Sequence, residues 1–132
     1  MADTILLLIV EDDGIVQQML HTELTDAGFT VIAASDGNQA IRQLRDKATR
    51  LRAVITDIRL GTGPDGWDVA RRARELTPDM PVVYATGDSA DDWSSKGVPN
   101  SIVLVKPFSP SQLTTAVSTL LNEADTNRAG SV

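Results

Sequence analysis

Ala53-Val-Ile-Thr-Asp-Ile-Arg59 is an apolar, β-branched run that closes on an acid, Asp57, and leads into the turn-forming stretch Gly61-Thr-Gly-Pro-Asp-Gly66. A short apolar run bounded in this way reads as a strand buried on both faces, as in a parallel sheet. In open α/β sheets, ligands bind beyond the carboxyl ends of the strands, and the strand predicted over Ala53 to Asp57 delivers a carboxylate to that rim.

Working toward the amino end, Ile5-Leu-Leu-Leu-Ile-Val10 is a second buried run, ending on Glu11-Asp-Asp-Gly14. Beyond it Val16, Leu20, Leu24 and Ala27 recur at helical spacing, and Gly28 is placed to stop that helix in the left-handed conformation. Thr30 to Ala34 is a short strand, and Asp36-Gly-Asn-Gln39 opens a helix with an N-cap acid and its glutamine partner, burying Ala40, Ile41 and Leu44. Toward the carboxyl end, the spacing predicts a helix from Gly66 to about Leu76, with Val69, Ala70, Ala73 and Leu76 inward and Arg71, Arg72 and Arg74 as a solvated face. Pro81 to Thr86 reads as a strand, Ser89 to Lys96 as a short polar helix, and Ile102 to Val105 as a strand ending at Lys106-Pro-Phe108. Ser109-Pro-Ser-Gln112 is a capping box with proline at the first helical position, opening a helix that buries Leu113, Val117, Leu120 and Leu121.

Five strands alternating with five helices imply right-handed crossovers and a parallel sheet covered on both faces. The expected fold is α/β, a flavodoxin-like (βα)5 three-layer sandwich with strand order 2-1-3-4-5. A chain of 132 residues is long enough for one domain, expected over residues 1–122, with a flexible tail over 123–132. At that length no separate output domain is expected.

Composition narrows the function. Eighteen acidic against 12 basic residues give a net charge of -6, which argues against nucleic acid as a partner. With no cysteine and a single histidine, the chain offers neither thiolate chemistry nor a histidine-rich metal site. The opening apolar run is too short to span a membrane and lacks a basic flank, so a cytoplasmic protein without membrane contact is expected.

In the predicted strand order, strands one, three, four and five lie side by side, so their ends converge. They deliver Glu11 and Asp12, then Asp57, then Thr86, then Lys106. Carboxylates about 4 Å apart repel by roughly 4 kcal/mol per pair at an effective dielectric near 20. A divalent, oxygen-seeking ion relieves that strain, and a few carboxylates with space for water favour Mg2+ over Ca2+. Such an ion bridges an incoming phosphoryl group, whose other oxygens suit Lys106 and the Thr86 hydroxyl.

Val10-Glu-Asp-Asp13, Thr56-Asp57, Thr86-Gly87 and Lys106-Pro-Phe108 together resemble the signature of the receiver domain of two-component response regulators, in order and each at a strand end. The resemblance covers about residues 4 to 122. It implies a stand-alone, chemotaxis-receiver-like protein in which Asp57 accepts a phosphoryl group from a histidine kinase or histidine phosphotransfer protein. It further implies Mg2+ bound directly by Asp12, through water by Glu11, and by Asp57 and the Arg59 carbonyl. Lys106 would pair with the phosphoryl group, Thr86 would move toward it, and the Lys106-Pro107 bond would be cis. The domain would be no enzyme beyond self-phosphorylation and autodephosphorylation at Asp57. It would signal to an unidentified downstream protein as a monomer or weak homodimer, or else serve as a phosphate sink or relay shuttle.

The chain departs from that pattern in three places. Glu11 stands where the family usually has aspartate, the loop after Asp57 is a residue longer than usual, and Val103 occupies a position that is usually aromatic. Pro81-Val-Val-Tyr-Ala-Thr-Gly87 is similar to a subgroup of single-domain receivers that also lack that aromatic, leaving Tyr84 and Trp93 as substitutes. Asp13 reads as a helix N-terminal charge, His21 as solvent-facing and Trp67 as packing. Arg59 and Asp88 are expected to pair over the mouth of the site and limit water access. Two other classes fit less well. An aspartyl phosphatase would want a second acid where Arg59 stands, and a flavin-binding module would want a Ser/Thr/Gly-rich loop where Glu11-Asp-Asp13 repels phosphate.

Overall fold

A computed structural model describes residues 4–130, with side chains to residue 126. Its strands are β1 (Leu6–Val10), β2 (Thr30–Ala34), β3 (Leu51–Thr56), β4 (Val82–Thr86) and β5 (Ile102–Val105), all parallel in the order β2-β1-β3-β4-β5. The helices are α1 (Gly14–Asp26), α2 (Gly37–Lys47), α3 (Gly66–Leu76), α4 (Trp93–Lys96) and α5 (Pro110–Gly130). The expected flavodoxin-like sandwich is the fold of the protein.

Alternation along the strands explains the three layers. Leu7 and Ile9 of β1 point to the side covered by α1 and α5, where they join Leu20, Leu24, Leu113 and Val117. Leu8 and Val10 point to the other side, among Ala40 and Leu44 of α2 and Val69 and Ala73 of α3. A third cluster, with Ile58, Trp67, Val82, Tyr84 and Val98, lies under α3 and the segment after β4. Trp67 is thus packing, 4% exposed, with its ring 4.8 Å from that of Tyr84.

Most boundaries follow from local chemistry. Gly28, at φ +100°, supplies the left-handed turn after α1. Asp13 caps α1 by accepting from the Ile15 and Val16 N–H groups, and Asp36 caps α2 through the Gln39 N–H. The Gln39 side chain reaches back to the Ser35 N–H, one residue before the cap. Ser109 and Gln112 exchange side-chain and backbone bonds at the start of α5 as the capping box requires. Ala27, expected on the buried face of α1, is exposed at its C-cap.

Two expectations are corrected. The segment from 123 is no unstructured tail: α5 continues to Gly130, Ala124 is 6% exposed, and Asp125 accepts from Arg52 at 2.9 Å. The apolar period falters there, but the helix continues over the flank of the sheet; residues 131–132 lie outside the described residues. Arg74 does not belong to a solvated face. Its guanidinium donates to the Met80 and Pro99 carbonyls, both at 2.6 Å, and to Asn100 at 3.4 Å, clamping the loops that enter β4 and β5. Burial holds its pKa below the usual arginine value.

Candidate functional site

The carboxyl ends of β1, β3, β4 and β5 form one rim, because parallel strands in this order all finish on the same edge. The Asp57 N–H donates to Val10 O at 2.9 Å and the Lys106 N–H to Thr86 O at 2.8 Å, fixing the two outer residues one step past their strands. Carboxylate oxygens of Glu11, Asp12 and Asp57 lie within 4.8 Å of one another. Lys106 Nζ is 2.6 Å from Glu11 Oε1 and 3.1 Å from Asp57 Oδ2, so one ammonium bridges two acids.

Burial grades these groups. Glu11 is 1% exposed, the Asp57 side chain 13% and that of Lys106 25%, while Asp12 faces solvent. Burial pushes the Glu11 carboxyl up to about 7; the Lys106 and Asp13 N–H bonds oppose that rise and the Asp57 charge adds to it. Burial pulls Lys106 down, but its bond to Glu11 and the two acidic charges outweigh it, leaving its pKa above the usual lysine value. Asp57 is further oriented by the Ile58 N–H, which donates to Oδ1 at 2.6 Å. The all-oxygen donor set, with Lys106 the one cation paired with these acids among the described residues, fits a hard divalent ion.

Other predicted residues sit around this centre. Thr86 is 1% exposed, and its hydroxyl is taken up by the following loop, accepting from the Ser89 N–H at 3.1 Å and the Asp88 N–H at 3.4 Å. Arg59 is exposed, with Nε 3.3 Å from Asp88 Oδ1 and 3.4 Å from Ser89 Oγ, so the expected pair across the mouth is present. Lys106-Pro107 is cis. His21 is solvent-facing, near Thr25.

Three contributors escaped sequence reasoning. Gln17 Nε2 donates to Glu11 O at 3.0 Å, Ala34 O at 3.3 Å and Ser35 Oγ at 3.2 Å, tying the ends of β1 and β2. No local pattern marks it, since its partners come from three segments. Asp65 and Asp68 form a reciprocal capping box at α3; the acid pair at that spacing was the available signal. Gly66 is pressed against the acceptor: a Cβ there would lie 2.1 Å from Asp57 O, and its N–H donates to Ile58 O at 2.8 Å.

A family model described as the response regulator receiver domain matches residues 7–118. A curated protein, "Probable transcriptional regulator ycf27" of Pyropia yezoensis, is 31% identical over 90% of this chain and 48% of its own length. "Probable transcriptional regulatory protein SilR" of Salmonella typhimurium is 36% identical over 91% of this chain and 52% of its own length. The chain therefore spans about half the length of these relatives. Among solved structures, a response regulator receiver protein from Sinorhizobium medicae is 48% identical with a TM-score of 0.90, covering 92% of this chain and 98% of that one. Chemotaxis protein CheY4 of Vibrio cholerae shares the fold, with a TM-score of 0.80 at 24% identity over 89% of this chain and 99% of that one. Acids, lysine and threonine stand at the strand ends where the motifs predicted them, and the family model spans nearly the whole sheet, so this chain belongs to the response regulator receiver domain family.

Proposed function

We propose that the chain is a receiver in which Asp57 accepts a phosphoryl group from a histidine kinase or histidine phosphotransfer protein in an Mg2+-dependent step. The observation that carries this reading is the Lys106 ammonium set between Glu11 and Asp57, at 2.6 and 3.1 Å, beside Asp12. An Asp57 oxygen attacks phosphorus, the phosphorus–nitrogen bond of the donor phosphohistidine breaks, and the imidazole nitrogen leaves with the electron pair. Lys106 then holds a phosphoryl oxygen through a charge-assisted bond. Glu11, Asp12, Asp57 and the Arg59 carbonyl are the groups to hold Mg2+, which when bound offsets charge on the phosphoryl oxygens.

The acidic balance, -6 overall, supports a protein rather than a nucleic acid as the downstream partner. Among the described residues no helix is long and apolar enough to cross a membrane, in keeping with action in the cytoplasm. On this reading the domain turns over no substrate other than its own aspartyl phosphate.

Acetyl phosphate and candidate kinases supply the test, with wild type beside Asp57→Ala. Wild type should take up one phosphoryl group only with Mg2+ present, and the variant none. Uptake by Asp57→Ala equal to wild type would reject Asp57 as the acceptor. Capture of a protein by the phosphorylated form alone would support signalling by contact, whereas phosphoryl uptake with no such capture would leave the sink or shuttle.

A further inference from the structure

Residues 42–52, which run from the middle of α2 across a turn into β3, hold five of the chain's 12 basic residues and one of its 18 acids. The segment is positive in a protein that is negative overall. Arg42 and Arg45 share the outward stripe of α2 at a spacing of three, and both are exposed, as is Arg50 in the turn; Lys47 is half-buried.

Elsewhere among the described residues, each Lys and Arg side chain is taken up. Arg59, Arg71, Arg72, Lys96 and Lys106 pair with acids, and Arg74 with carbonyls. Within the segment, Arg52 is held by Asp125 at 2.9 Å. Asp46, four residues on from Arg42, turns instead to its neighbour Arg45, at 3.5 Å with both side chains more than half exposed, a contact worth little. Arg42, Lys47 and Arg50 have no ion pair or side-chain hydrogen bond to any described residue. The dipole of α2 accounts for Arg45 and Lys47, in its last turn, because cations favour a helix carboxyl end. It accounts neither for Arg42, a turn earlier, nor for Arg50, beyond the helix.

We infer that Arg42, Arg45, Lys47 and Arg50 form a docking surface for a short acidic segment of a protein partner. The strand β3 begins at Leu51 and Asp57 follows its last residue, so the surface lies at the amino end of the sheet, roughly 20 Å from the acceptor at about 3.3 Å per residue. Docking there leaves the acidic rim uncovered. Charge complementarity selects the class of partner. A polynucleotide extends past the patch onto the acidic remainder of the surface, and residues 42–52 contain no aromatic to stack a base. An anionic membrane is held by basic residues together with an apolar anchor, and the large exposed hydrophobics, Ile15, Met19, Trp93 and Val105, belong to α1, α4 and β5. A short acidic segment needs complementarity only over about 8 Å, the screening length at physiological ionic strength.

The test is fluorescence anisotropy of a labelled decaglutamate peptide with the full chain at low salt, beside an oligothymidylate of equal length and phosphatidylserine vesicles. Wild type should bind the peptide, and Arg42→Glu/Arg50→Glu should weaken binding by about tenfold or more. Arg72→Glu/Lys96→Glu changes the net charge equally at positions already paired, and should stay within about twofold of wild type. Arg42→Gln/Arg50→Gln provides the same comparison if the charge reversal does not fold. Equal weakening by the two charge reversals would reduce the attraction to net charge and overturn the inference, as would the absence of peptide binding by wild type. Tighter binding of the oligonucleotide or the vesicles than of the peptide would overturn the assignment to a protein segment. Binding is measured without phosphodonor or Mg2+, so this inference and the receiver reading fail separately.

Discussion

Glu11 carries one methylene more than the aspartate usual at its position, and that reach brings its carboxylate to 2.6 Å from Lys106 while the residue stays 1% exposed. Its pKa, raised from 4.5 to about 7, means that the folded protein binds this proton more tightly than the unfolded chain does. Its contribution to stability is therefore fully present below pH 4.5 and is lost as pH rises toward 7. Metal-free Glu11→Gln should lack that loss, so its stability relative to wild type should grow by up to roughly 3 kcal/mol across the window, read by urea denaturation at each pH. A constant difference would reject a buried, proton-binding Glu11. Arg59 lies at the other extreme, 74% exposed, and its pair with Asp88 contributes under about 1 kcal/mol to stability. Its expected role is kinetic: Arg59→Ala should raise the dephosphorylation rate on the order of threefold by opening the mouth to water, equivalent to a small change in barrier. An unchanged rate rejects the gate. The acids, Lys106 and the Arg59–Asp88 pair were legible because each sits at or just past a strand end, where sequence distance converts to position. The direction of the Thr86 hydroxyl was not, since it depends on a loop N–H competing for the same oxygen.

At the scale of elements, strands and caps were readable from period and turn chemistry, while interactions joining distant segments were not. The helix α3 was placed by its apolar spacing, yet the same spacing assigned Arg74 to solvent. Its long stem instead folds back onto carbonyls 6, 25 and 26 residues away. Arg74→Ala should cost on the order of 2 kcal/mol, because carbonyls left without their charged donor lose bonds of that strength. Arg74→Lys should recover only part of it, since an ammonium lacks the guanidinium fork. Equal stability of all three proteins in denaturant would show that water replaces the clamp. The far end of α5 was misread for a related reason: Ala124 and Asp125 find partners across the fold, which no local pattern encodes.

At the scale of the whole molecule, the fold brings three acids to one rim and, among the described residues, sets one ammonium against them, an arrangement whose residual repulsion a bound cation would relieve. Mg2+ should accordingly stabilise the native state by about 2.7 kcal/mol at a hundredfold excess over its Kd. For a domain of this size that is a rise in Tm of roughly 10 °C in calorimetry. Asp12→Ala should abolish most of the rise; the same rise in that variant would place the ion elsewhere. The direction in which the domain yields follows from Gly66. With the α3 backbone wedged behind the Asp57 carbonyl, where even a methyl group has no space, the acceptor has a rigid backstop on that flank. On the opposite flank residues 88 and 89 are restrained by exposed bonds to Arg59 and by their N–H groups on the buried Thr86 hydroxyl, with no backbone wedged against them. Any push from an added phosphoryl group therefore meets a softer wall on that side, held by hydrogen bonds and not by packed backbone, and the asymmetry of the walls, more than the size of the perturbation, decides where the molecule changes shape.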